Sequence, residues 1–172
     1  AGDDQLNIGL LQNTKVESID AGAGNDTVWV FDSAVGNKPE IDLGAGNDIL
    51  KAAPQGSIVY GGSGIDSFEL GKDYLVADAD TTDIMTYNSI ALHGGVTWRG
   101  QESPWAKGLY GIKYAIDEVG ELVIKTPGNG NDTYVAGFNN VLSGPATAGI
   151  RIGEMSLDAY RLFHTPNGAR IY

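Results

Sequence analysis

Cysteine is absent from this 172-residue chain. That excludes disulfides and thiolate metal sites, although it does not fix a compartment. Bases are scarce: 11 Lys and Arg stand against 22 Asp and Glu, for a net charge of −11. Such a chain is a poor match for nucleic acid, because binding phosphate backbones rests on counterion release by cationic side chains. No run of 18 apolar residues occurs, so no transmembrane segment is expected. Histidine occurs only at His93 and His164, and no H-E-x-x-H, Walker loop or dinucleotide fingerprint is present. The stretch Gly61-Gly-Ser-Gly-Ile65 is not a nucleophile elbow, since its fifth residue is isoleucine. The fragment itself is therefore expected not to be an enzyme. It opens on Ala1 without a signal-peptide pattern, which reads as a piece of a larger protein or one exported without an N-terminal mark.

What the chain has in excess is glycine, 25 residues, about twice the average share. Much of it is periodic. Ala21-Gly-Ala-Gly-Asn-Asp26-Thr-Val28, Leu43-Gly-Ala-Gly-Asn-Asp48-Ile-Leu50 and Gly61-Gly-Ser-Gly-Ile-Asp66-Ser-Phe68 align on their aspartates, and Ala1-Gly-Asp-Asp4-Gln-Leu6 supplies the tail of a fourth copy. A fixed period of this size marks a solenoid whose coils pack only on their neighbours. Glycine at the second and fourth places permits a tight turn with positive φ. The residue two places past each aspartate opens a strand (Val28 to Phe31, Ile49-Leu50, Phe68 to Leu70), and a second strand precedes each turn at 16–20, 40–42 and 57–60. First-place Ala21 and Leu43 require negative φ. Return loops such as "SAVGNKP" and "APQG" complete each coil.

Stacked coils place equivalent residues about 4.8 Å apart. The aspartates then form a ladder on one edge, where like charges repel by about 1 kcal/mol per neighbour even in water. A hard cation relieves that repulsion, and carboxylates with turn carbonyls are calcium ligands, whereas magnesium keeps its waters.

These residues resemble the RTX (repeats-in-toxin) family, whose nonapeptide G-G-x-G-x-D-x-U-x folds as a calcium-loaded parallel β-roll. The resemblance covers residues 1 to about 70. It implies an ion between successive turns: Gly22, Gly24 and Asp26 with Leu43, Ala45 and Asp48, then Gly44, Gly46 and Asp48 with Gly61, Ser63 and Asp66. A partial site uses Gly2 and Asp4 with Ala21, Ala23 and Asp26, for two to three Ca2+ ions in all. Regular RTX rolls carry glycine turns on both edges; here one edge has them, so one row of ions is expected. Asp20 and Asp42 are outer-shell ligands or solvated edge charges.

Residues 72–172 weakly resemble the C-terminal modules that follow such rolls in type I-secreted proteins. "YGIKYAI" and "ELVIKT" alternate around "DEVG", a hairpin signal, and "TYVAGF" adds a strand. The expected fold is all-β: a parallel β-roll over 1–71, then an antiparallel β cap over 72–172. The resemblance implies a secreted calcium-binding module of a toxin, hydrolase or adhesin, with calcium and the type I secretion machinery as partners. Two other readings stay open: a glycan- or host-surface-binding adhesin module, and the C-terminal part of a secreted lipase-like or protease enzyme. Trp29, Trp98 and Trp105 are candidates either for a sugar platform or for core and cap packing. "DADTTD", Asp78 to Asp83, fails as an EF-hand because no glycine follows at the sixth place and no glutamate at the twelfth. It reads as a solvated loop, with a lone cation as the alternative. "PGNGNDTYV" around Asp132 imitates the repeat but reads as a hairpin loop, and "GEMSLDAYRLF" as a short helix.

Overall fold

The computed structural model describes residues 1–11, 15–32, 37–71, 73–98, 105–128, 132–140 and 145–155. The expected helix at 153–163 and His164 lie largely or wholly outside them. The chain is nearly all β, with its strands in two sheets. One strand of each coil, β1 (Gln5–Leu10), β3 (Thr27–Asp32), β5 (Ile49–Ala52), β7 (Ser67–Glu69) and β9 (Ile84–Tyr87), stacks parallel in the first sheet. The alternate strands, β2 (Ser18–Asp20), β4 (Glu40–Asp42), β6 (Ile58–Tyr60) and β8 (Tyr74–Val76), stack parallel in the second.

The register produces two apolar columns. Leu6, Val28, Leu50, Phe68 and Met85 stand rung on rung in the first sheet, and Ile19, Ile41, Val59 and Val76 in the second. Val28, Leu50, Phe68, Met85, Ile41, Val59 and Val76 are fully buried. Inward residues alternate with outward ones, as a strand period of two requires, and the outward set includes the exposed Trp29, Phe31 and Ile49. The strands read from the sequence at 16–20, 28–31, 40–42, 49–50, 57–60 and 68–70 all fall within one or two residues of these elements.

The stacking does not stop at residue 71. Two further strands, β8 and β9, continue both columns. A short hairpin to β10 (Ile90–Ala91) ends the first sheet. The second sheet runs on through β15 (Asp132–Val135), which lies parallel to β8, into an antiparallel array of β14 (Leu122–Lys125), β13 (Lys113–Ile116) and β12 (Ala106–Gly108). It closes with β11 (Gly94–Trp98) and β16 (Arg151–Met155), which pair in parallel. The hairpin around Asp117–Gly120 and the strand in "TYVAGF" are where the sequence put them. The two halves thus share one sheet, with Tyr114, Ile112, Leu122 and Ile124 continuing the same core.

Glycine is obligatory at the stacked turns. Gly46 has φ +149°, and a Cβ there would overlap the carbonyl oxygen of Gly24 in the coil beneath. Gly9 has no such constraint and no atom near a built Cβ. Gly46→Ala is therefore expected to cost at least the roughly 1–3 kcal/mol of a strained backbone, while Gly9→Ala stays within about 0.5 kcal/mol. Urea midpoints of the two variants in millimolar calcium check this.

Candidate functional site: a buried column of aspartates

The column follows from the repeat. Each turn adopts the expected backbone: Gly22, Gly24, Gly44, Gly46, Gly62 and Gly64 all have positive φ, and Ala21 and Leu43 do not. Ala23, Ala45 and Ser63 bridge turn to turn. This stacks the aspartates, and each rung is tied to the next in one way. The Asp4 N–H donates to Asp26 Oδ1 at 2.7 Å, Asp26 N–H to Asp48 Oδ1 at 2.7 Å, and Asp48 N–H to Asp66 Oδ1 at 2.9 Å. Asp26, Asp48 and Asp66 are each 1% exposed or less, while Asp4 is exposed.

The sequence misses one rung. The Asp66 N–H donates to Asp83 Oδ1 at 3.0 Å, so Asp83, 6% exposed, is the fifth member of the column. The solvated-loop reading of 78–83 holds for Asp78, Asp80, Thr81 and Thr82, which are exposed, and is corrected at Asp83 alone. That segment is a glycine-free turn in which side chains do the work of backbone. The Asp78 carboxylate accepts the N–H groups of Gly61 and Gly62 at 2.8 and 3.0 Å, and the Thr82 hydroxyl donates to the Gly64 carbonyl at 3.1 Å. Asp83 Oδ2 is occupied by the Asp80 N–H. The available signal was an apolar Met85 two places past Asp83, at an interval of 17 from Asp66; the missing glycines hid it.

A second ladder runs beside the first in the opposite sense. Asp3 Oδ1 accepts the Asn25 N–H, Asn25 Oδ1 the Asn47 N–H, and Asn47 Oδ1 the Ile65 N–H, at 2.7, 2.8 and 2.8 Å. This gives the fifth place of the repeat its physical reason, which spacing alone did not reveal. Ile65 has no acceptor to pass on, so the ladder ends there and Thr82 takes over.

The column is not self-sufficient. Asp26 Oδ2 and Asp48 Oδ2 are buried without any hydrogen-bond partner, and neither residue belongs to an ion pair among the described residues. Burial raises the Asp48 carboxyl above the usual range, outweighing the opposing Asp26 N–H, and the Asp26 charge adds to the rise. Burial likewise pushes Asp66 up to about 6, reinforced by the charges of Asp83, Asp48 and Asp78. Asp83 is also raised, again chiefly by burial. The residues present fit a hard cation: acceptor oxygens only, dry, of one sign and partly unsatisfied.

The carbonyls are less uniformly available. Those of Gly22 and Gly44 accept the N–H groups of Ala45 and Ser63, and those of Ala23, Ala45 and Ser63 accept the N–H groups of Gly2, Gly24 and Gly46. Each keeps one lone pair. Asp20 and Asp42 are exposed and outside the column. Asp132 is also outside it, with Oδ2 at 3.4 Å from the Lys125 ammonium, which lies over the Trp105 ring. Trp29 is not a core residue: it is 42% exposed, 5.3 Å from Phe31 on the outer face of β3. Compared with family models, curated proteins and solved structures, the chain matches none.

Two outcomes follow. Because burial raises the Asp66 carboxyl, its protonated form is favoured in the fold, so stability without metal is present at low pH and lost as pH rises through about 6. In EGTA, the β signal in circular dichroism should therefore be gained as pH falls from 7 to 5. Asn47→Ala removes the acceptor of the Ile65 N–H, and its urea midpoint should report a loss of about 0.5–1.5 kcal/mol.

Proposed function

We propose that this chain is a non-catalytic calcium-binding module of the RTX β-roll kind, folding on calcium after export of a secreted parent protein. The observation that carries the reading is the pair of buried, partnerless oxygens on Asp26 and Asp48 within a column of like charges. The cations lie in one row, between turns 21–26 and 43–48 and between turns 43–48 and 61–66, with a partial site at Asp4. Asp26, Asp48 and Asp66 provide the charge, and second- to fourth-place carbonyls complete the shell. Export by the type I machinery and the secreted location rest on the family resemblance alone.

The magnitudes agree with a switch. Extracellular calcium modules bind with constants of about 10⁻⁴–10⁻³ M. A 10⁻⁴ M site in millimolar calcium stands at about 10 times its dissociation constant and adds about 1.4 kcal/mol to stability. Two or three such sites add about 3–4 kcal/mol, enough to tip a chain whose folded and unfolded states are nearly balanced without metal. At low cytosolic calcium the ladder repels and the chain stays unfolded; outside the cell it folds.

Circular dichroism of the chain in EGTA and in calcium at pH 7.4 tests the proposal. A β spectrum should appear only with calcium. Asp48→Asn should shift the calcium midpoint most, by 10-fold or more, since Asp48 serves two sites, while Asp132→Ala leaves it within about twofold. A full β spectrum in EGTA at that pH overturns the reading. A second reading, glycan attachment, is favoured by the exposed Trp29–Phe31 pair. It requires Trp29→Ala to abolish binding on a glycan array without moving the calcium midpoint.

A further inference from the structure

One exposed turn breaks a preference that its counterparts keep or explain. β12 and β13 form a hairpin with Lys107 opposite Lys113, and the Ile112 N–H closes its tip on the Leu109 carbonyl at 3.1 Å. The two central residues, Tyr110 and Gly111, have φ +58° and +76°. This is the mirror-image hairpin turn, whose first central place favours asparagine, aspartate or glycine. The β9–β10 hairpin obeys that preference, with Asn88 at φ +51°. A similar turn holds Ala148 at φ +48°, but Ala148 is buried and its N–H is engaged by the Asp80 carbonyl. Tyr110 has no such reason. It is 52% exposed, as is Leu109 beside it, and its hydroxyl makes no hydrogen bond among the described residues. A bulky side chain in this backbone region is strained, and strain kept at a solvent-facing tip points to a role for that tip.

The charge beneath the tip is also out of character. Lys107, Lys113 and Lys125 stand directly opposite one another across three strands, in a chain whose net charge is −11. Like charges so placed repel. Asp132 balances Lys125 at 3.4 Å, while Lys113 is exposed and has no acidic partner among the described residues. The acidic turn from Asp117 to Glu121 lies at the other end of β13, about 13 Å from Lys113 at the rise of a strand. That is beyond the roughly 8 Å over which exposed charges act at physiological ionic strength. The hairpin tip therefore presents a local positive field whatever the net charge.

We propose that the β12–β13 tip docks on an anionic lipid surface. Leu109 and Tyr110 enter the boundary between headgroups and acyl chains, where an amphipathic tyrosine ring is at home. The lysine row meets the lipid phosphates. Each half of the arrangement argues against another occupant. Two exposed side chains are too few for a protein partner, since a stable interface buries about 800 Å² on each side. A free anion would need the lysines but not the apolar tip. The strain at Tyr110 is then explained, because asparagine would relax the turn and leave no ring to insert. Attachment through so small an element is weak and reversible.

Co-sedimentation of the full chain with vesicles in millimolar calcium tests this. Circular dichroism on the same samples reports folding, so failure of the calcium switch and failure of docking are distinguishable. The chain should pellet with phosphatidylcholine vesicles containing about one-third phosphatidylglycerol, and not with phosphatidylcholine alone. Raising salt from about 0.1 M to about 0.5 M should release most of it. Tyr110→Asn places the preferred residue in the turn, so the spectrum is retained, and partitioning should fall about 10-fold. Lys113→Glu should lower it about 10-fold as well, whereas Lys15→Glu, the same charge change on the roll, leaves it within about twofold. Calcium bridging between the acidic roll and lipid would be blind to both tip substitutions. Binding indifferent to Tyr110→Asn and Lys113→Glu, or a folded chain that leaves the anionic vesicles unbound, overturns the proposal.

Discussion

Everything in the first half of this protein is arranged around one constraint: three aspartates with almost no solvent access sit one above another at strand spacing. The backbone answers part of the problem. Each carboxylate receives the N–H of the preceding rung, a charge-assisted hydrogen bond repeated up the column. The answer is incomplete, because the net displacement of the Asp48 and Asp66 carboxyls is upward despite those bonds. Burial wins over hydrogen bonding, and the neighbouring charges add to it. An ionised column at neutral pH is thus a cost borne by the rest of the fold. Two things can relieve it, a proton or a metal ion, and the partnerless oxygens are where either would go.

That constraint explains why the repeat is spelled as it is. Glycines at the second and fourth places are required by positive φ, and at Gly24, Gly44, Gly46, Gly62 and Gly64 also by the carbonyl of the coil beneath. Asparagine at the fifth place links turn to turn with its side-chain oxygen. The apolar residue two places past aspartate drops into the core column. The sixth place does two things at once: its Oδ1 ties the rung to the one before, while Oδ2 of Asp26 and Asp48 stays buried without a partner.

These features were legible to different degrees. Strands at 28–31, 40–42 and 49–50, the positive φ of the glycines and the stacked aspartates follow from spacing and residue type, because the physics is local and repeated. The Asp78–Asp83 turn was not legible, because it reaches the same backbone path by different chemistry: carboxylates and a hydroxyl replace glycine, leaving no periodic letter to find. Trp29 stayed open between a surface platform and core packing on residue type alone. The period of two counted from buried Val28 and Val30 puts residue 29 outside. The sharing of one sheet by both halves, through β15 on β8, joins residues about 60 apart and has no local signature.

The Asp83 end of the parallel stack shows how a solenoid can stop. There the stack ends by changing its chemistry: side-chain acceptors cover the last turn's N–H groups, a hairpin finishes one sheet and an antiparallel array takes over the other. The Ala148 N–H also reaches the Asp80 carbonyl, tying the second half to the last rung. A parallel edge left open recruits another strand. Here the energetic cost of ending the stack is met by covalently attached structure, which closes the aspartate column and both sheets at the same rung.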